Sequence, residues 1–266
     1  MNLSLQVTDS KNNILAQALG EDLITLVHTS AYRKGDRIVF TCDTPGFYEL
    51  LLEDTLPPAI VYVRERAVFT IPFGKRNRIG YSPRAFIKKQ HLLSARTANP
   101  AVVYARRNLA LNPLDQRDNT GMWPHAFANV ETRNEALFAA RNAVDGIHAN
   151  LRHYPFPYQS WGINKDPDAW LTVTFGLPVV LDELVVTLRA DYPHDSYWTQ
   201  VTAQFSDGSS EILSLKKTER PQHFSIRPRT VTSFTLAQLI KHEDESPYPA
   251  LTQVEAWGTA EAGAIE

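Results

Sequence analysis

Apolar and polar residues alternate with a period of two through several short stretches, the repeat of a half-buried strand. In the first part of the chain the strand-like runs are Leu23 to His28, Arg37 to Cys42, Phe47 to Leu52, Ala59 to Val63 and Ala67 to Ile71. Lys34-Gly35-Asp36, Thr44-Pro45-Gly46 and Leu56-Pro57-Pro58 punctuate them with turn residues. Short strands at this spacing predict a small antiparallel sandwich over residues 1–81. The stretch 82–107 reads as a connector. Pro100 opens a short helix there, since proline is tolerated in a helix's first turn.

Strands return afterwards. Ala169 to Phe175 alternates, Leu184 to Leu188 is a continuous apolar run, and Thr199 to Phe205 alternates again. Ser206-Asp207-Gly208-Ser209 is a hairpin turn, and Val231 to Leu236 and Leu251 to Trp257 complete the set. This predicts a second β domain over 108–258 and a frayed tail over 259–266. The expected fold class is all-β, with two β-sandwich domains and a short helical connector.

Composition narrows the function. The chain has 266 residues, with 27 Lys and Arg against 29 Asp and Glu, a net charge of −2. No global basic field draws it to nucleic acid or an anionic membrane. Its one cysteine, Cys42, rules out an intrachain disulfide and a cysteine zinc cluster. The N-terminus has no basic n-region with an apolar run behind it, and no stretch approaches the ~20 apolar residues of a membrane-spanning helix. A cytoplasmic location is the expectation, with secretion left open. Gly-x-Ser-x-Gly, phosphate-loop and zinc-protease spacings are absent.

Five pieces, in order, resemble a known family: Asn108-Leu109-Ala110-Leu111-Asn112, Ala143-Val144-Asp145-Gly146, Trp170-Leu171-Thr172-Val173-Thr174-Phe175-Gly176, Ser206-Asp207-Gly208 and Val254-Glu255-Ala256-Trp257-Gly258. They resemble discoidin, or coagulation-factor type C, domains, including the family thirty-two carbohydrate-binding modules. Thr174 stands where that family usually has Asp. The whole chain also resembles a bacterial group described only as carbohydrate-binding. The resemblance implies a galactose-binding-like (discoidin) jelly roll with ligand loops at one end. It also implies a structural Ca²⁺, whose matching positions are Asp145 and Glu255, with Asn150 as a further oxygen donor. An ion-free loop in which Asp145 caps its own turn is the alternative.

Two loops carry candidate binding chemistry. In Arg189 to Trp198, Arg189, Asp191, His194 and Asp195 offer donors and acceptors to sugar hydroxyls, and Trp198 or Tyr192 offers a ring for the apolar face of a pyranose. In the proline-stiffened Tyr154 to Asn164 segment, Tyr158, Gln159 and Trp161 supply a second wall. For Arg189 the competing reading is a structural pair with Asp, and for Trp198 and Trp161 it is burial in the core. Met122-Trp123-Pro124-His125 is either a platform edge or a turn packed against the insertion. Lys75-Arg76-Asn77-Arg78, with Arg84, Lys88 and Lys89, would suit an acidic glycan, although a solvated face is the simpler reading.

The leading expectation is a non-catalytic carbohydrate-binding protein, with homo-oligomerisation a sensible way to multiply a weak site. A carbohydrate-active enzyme using Asp191, His194 and Asp195 is a rival. Its two carboxylates share one loop, whereas glycoside hydrolysis needs them on opposite sides of the bond. Protein or phospholipid recognition is a third class.

Overall fold

The computed structural model describes residues 1–119, 121–150, 152, 154–190 and 195–261. The N-terminal part forms two four-stranded antiparallel sheets. The first joins β1 (Asn2–Thr8), β2 (Ile14–Glu21), β4 (Arg37–Cys42) and β7 (Arg66–Thr70) in the order β2-β1-β4-β7. The second joins β3 (Leu23–His28), β5 (Gly46–Leu51), β6 (Ala59–Val63) and β8 (His91–Thr97) in the order β3-β8-β5-β6. Leu3, Leu5, Ile38, Phe40 and Phe69 of the first face Ile24, Leu26, Tyr48, Leu50, Val61 and Leu93 of the second in one core. Alternation on each strand sends these side chains inward.

Three of these strands, β1, β2 and β8, were not expected. β2 is rich in Ala, Leu and Gln, and only its hairpin with β1 makes it extended. Asp9 locks that turn by accepting the backbone N–H groups of Lys11 and Asn13 at 2.8 and 2.9 Å. β8 lies inside the stretch expected to be connector, yet it is flanked by β3 and β5. The N-terminal sandwich therefore runs to Thr97, and the connector shrinks to the helical turn Pro100–Val103, capped by Asn99. A second helical turn, Lys75–Arg78, precedes β8.

The C-terminal part is an eight-stranded antiparallel sheet among the described residues. β9 (Arg107–Asn108), β10 (His125–Ala128), β11 (Trp161–Gly162), β12 (Leu171–Leu188), β13 (Trp198–Phe205), β14 (Ser210–Ser214), β15 (Gln222–Lys241) and β16 (Ala250–Ala260) build it. The two runs expected as separate strands at 169–175 and 184–188 are the ends of one long β12. Its register shifts between Thr174 and Val179 and again between Leu181 and Glu183. Before the first shift it pairs with β10, and beyond it with β16, so irregularity folds the sheet around a single core. Gly176 sits at that bend with φ of +76°, and a β-carbon there would lie 2.6 Å from the Trp123 ring.

Trp123 joins the two sandwiches. It exchanges backbone hydrogen bonds with Tyr62 at 2.9 and 3.0 Å, and the Arg64 guanidinium lies 5.1 Å from its ring centre. Arg64 also donates to the Gly176 carbonyl at 3.0 Å. Met122 and Leu114 are buried in the N-terminal core. The Met122-to-His125 segment is thus a structural joint between the two halves.

Candidate functional site

At one end of the C-terminal sandwich the finish of β12, the start of β13, the finish of β15 and the start of β16 come together. Loops joining them, with the segment leading into β11, shape that end. Four of the predicted binding residues, Gln159, Trp161, Arg189 and Trp198, lie here with their side chains turned into the protein.

Arg189 follows β12 and is 1% exposed. Its guanidinium donates to the Tyr158 carbonyl at 2.9 Å, to Ser160 Oγ at 3.5 Å and to the Arg152 carbonyl. It is a strut that ties the 152–160 loop to the sheet, because a buried guanidinium needs several acceptors. Trp161 and Trp198 are both in the core, with ring centres 6.2 Å apart, and Trp161 Nε1 donates to the Val130 carbonyl at 3.0 Å. Gln159 is buried and donates to Asp145 Oδ2 at 2.9 Å. Tyr158 is half-buried and Asp195 is exposed, while Asp191, Tyr192 and His194 lie outside the described residues.

The Asp145 carboxylate, expected as a calcium ligand with turn-capping as the alternative, is sealed within its loop. Oδ1 accepts the Ile147 N–H at 2.9 Å and the Gln253 amide at 2.8 Å, while Oδ2 accepts Gln159. Burial holds its pKa above the ordinary carboxylate value, against the pull of Arg141 and these donors. Gln253 Nε2 also donates to the Asn142 carbonyl at 2.6 Å, and its Oε1 accepts Gly146 N–H at 2.9 Å. A Ca²⁺ bound here would need such a carboxylate and carbonyl as ligands. An amide nitrogen bridges them instead. Asn150 turns its Nδ2 to the carbonyls of Leu188 and Glu219, and Glu255 accepts Trp257 Nε1 at 2.7 Å. Among the described residues no group of three or more His, Cys, Asp or Glu side chains is placed to hold a metal. The expected calcium set does not fit the ion in this arrangement.

What does open to solvent is a cavity of about 230 Å³ lined by Thr132, Arg133, Phe138, Gly162 to Asn164 and Tyr248 to Ala250. Phe138, Ile163 and Pro249 supply apolar lining. Gly162 allows close packing, since a β-carbon there would meet Thr132 Oγ1 at 2.7 Å. Tyr248 is 43% exposed, with Lys165 Nζ 4.9 Å from its ring centre. Arg133 stands over the Phe138 ring and is paired with both oxygens of Glu135 at 2.9 and 3.0 Å. Asn164 is exposed and has φ of +50°, and its backbone N–H is held by Thr132 Oγ1. A second cavity of about 310 Å³ shares Ile163 and Pro249 with it and reaches Lys241 and Asp244. Sequence reasoning passed over Tyr248, Arg133, Asn164 and Lys165. The available signal was Ser246-Pro247-Tyr248-Pro249, an aromatic framed by prolines just before the closing strand.

No protein-family model matches the chain, and no curated protein matches its sequence. Solved structures are similar to it in backbone. Chitosan-binding module 1 of a chitosanase/glucanase from Paenibacillus sp. IK-5 is 19% identical, spans 57% of this chain and 99% of its own, and has a TM-score of 0.38. The family 32 module of C. perfringens NanJ, in complex with galactose, is 14% identical over 50% of this chain and 91% of its own, at 0.38. A fucose-binding module of Streptococcus pneumoniae is 13% identical over 57% and 96%, at 0.41. These neighbours are carbohydrate-binding and lectin modules of the galactose-binding-like (discoidin) fold. At such identities the likeness concerns fold alone.

Proposed function

We propose that the protein binds carbohydrate without transforming it, holding a sugar or glycan end in the cavity beneath Tyr248. The observation that carries this reading is the exposed Tyr248 ring beside a cavity lined by Asn164 and Arg133, with the Lys165 ammonium next to the ring. A pyranose presents an apolar C–H face and a ring of hydroxyls. Tyr248 offers a flat partner for the first, and Asn164, Arg133 and Lys165 offer hydrogen bonds for the second. Arg133 is already paired with Glu135, so the guanidinium is held in place before a ligand arrives, which lowers the ordering cost of binding.

A glycan array followed by calorimetry on the best glycan tests this. Losing one stacking contact costs on the order of 1.5 kcal/mol, about tenfold in affinity. Tyr248→Ala is expected to weaken binding by that factor while leaving the fold intact. Glycan binding unchanged in Tyr248→Ala would place the site elsewhere, and an array with no bound glycan would remove the reading altogether.

A further inference from the structure

The N-terminal sandwich holds a polar cluster that neither its packing nor the proposed site explains. His28 and His91 face each other across β3 and β8. Tyr32 packs against both, with ring centres 5.1 Å from His28 and 4.1 Å from His91. Glu53 lies 3.9 Å from His91 Nδ1 and accepts the Phe86 N–H at 3.0 Å. All four residues are buried, and neither His28 Nε2 nor Tyr32 Oη makes a hydrogen bond. Unsatisfied buried polar groups are costly, so two side by side need a reason. Burial pushes Glu53 up to about 7 and holds both imidazoles below their ordinary value.

This cluster backs onto an open cavity of about 390 Å³ lined by Asp54, Thr55, Arg84, Ile87, Lys88, Lys89, Gln90 and His91. Arg84, Lys88 and Lys89 are exposed, and none is ion-paired among the described residues. Phe86, Lys88 and Gln90 have φ of 58°, 67° and 66°, a left-handed conformation disfavoured for such side chains. Repeated strain in one short segment is characteristic of a segment shaped for a ligand.

We propose that this cavity binds the carboxylate of an acidic sugar, with Arg84, Lys88 and Lys89 around the anion and Thr55, Gln90 and His91 on the hydroxyls. Three unpaired cations against the one acid, Asp54, leave the mouth positive. A guanidinium with two ammonium groups makes charge-assisted bonds to a carboxylate. The choice of a sugar acid rests on the carbohydrate-binding reading; the anion chemistry does not. A second site on the same chain would add avidity toward a glycan that carries acidic residues.

The test is calorimetric titration of the full-length chain with sodium glucuronate, its methyl ester, glucose and inorganic phosphate. Glucuronate is expected to bind, and the ester and glucose at least about tenfold more weakly, because the charge is gone. The triple variant Arg84→Ala/Lys88→Ala/Lys89→Ala is expected to lose glucuronate by at least the same factor. All three side chains are exposed, so its circular dichroism should match the wild type. Tyr248→Ala should leave glucuronate binding in place, which keeps failure of this proposal distinct from failure of the first. Equal affinity for the ester, unchanged binding in the triple variant, tighter binding of phosphate than of glucuronate, or no glucuronate binding would each overturn it.

Discussion

Replacing Gln253 with methionine isolates the network that closes the 142–147 loop. Methionine keeps the unbranched length and removes both polar atoms. Three hydrogen bonds go, from Nε2 to the Asn142 carbonyl, from Nε2 to Asp145 Oδ1, and from Gly146 N–H to Oε1. Two join neutral groups and contribute about 1 kcal/mol each; the one to the carboxylate contributes about 2 kcal/mol. The partners stay in a buried setting, and Asn142 is fully covered. The expected loss is therefore about 3–5 kcal/mol. All five tryptophans lie at position 123 or beyond, so tryptophan fluorescence in urea reports the C-terminal sandwich. The pH dependence has a definite sign. Asp145 already ionises above the ordinary carboxylate value in the folded state. Its proton is held more tightly folded than unfolded, so its ionisation costs stability as pH rises past the unfolded value near 3.8. Removing a donor penalises chiefly the charged form. The deficit of Gln253→Met should therefore grow as pH rises through the raised folded pKa of Asp145 and be smallest in acid. A loss under about 1 kcal/mol, or a deficit that grows in acid, would refute the network as the loop's lock.

Calcium and chelator should leave the wild-type melting temperature unchanged, whereas Gln253→Glu, which sets a second carboxylate beside Asp145, should melt lower with chelator and recover with Ca²⁺; a wild-type shift with Ca²⁺ would contradict the amide-bridged arrangement. Glu53 has a folded pKa raised from 4.5 to about 7, so its own contribution to stability should fall as pH rises between those values and then level off, against the opposite slope of His28 and His91, whose lowered pKa favours folding as pH rises. Glu53→Gln should remove the Glu53 contribution and be on the order of 1–3 kcal/mol more stable than wild type at pH about 8, and thermal melts across the range check it. Arg189→Ala leaves the carbonyls of Tyr158 and Arg152 without their donor, and should cost about 2–4 kcal/mol and speed proteolysis of the 152–160 loop. Unchanged stability with lost glycan binding would instead return Arg189 to the role of ligand residue.

Much of the fold was legible because it rests on local signals. Alternation at Thr199 to Phe205, turn residues at Ser206 to Ser209 and the apolar run at Leu184 to Leu188 each became strand or hairpin. β2 was illegible because its Ala, Leu and Gln residues carry no strand preference, and pairing with β1 overrides that. β8 was missed because its buried apolar residues, Leu93 and Ala95, are few, and its place between β3 and β5 decides its state.

The candidate site divides the same way. The sequence by itself determined which stretches are loops, that they are rich in aromatic and charged residues, and that the second half of the chain carries the discoidin-like motifs. Only the tertiary structure decided which way the side chains face. Arg189, Gln159, Trp161 and Trp198 turn inward and Tyr248 turns outward, although all belong to loops or strand ends at one end of the sandwich. A residue's neighbours in sequence fix its backbone preference within a few positions. Its exposure depends on carbonyls and rings brought from thirty or a hundred residues away, as the Val130 carbonyl is brought to Trp161 and the Gln253 amide to Asp145. Such pairings are settled only when the chain has closed its core around them.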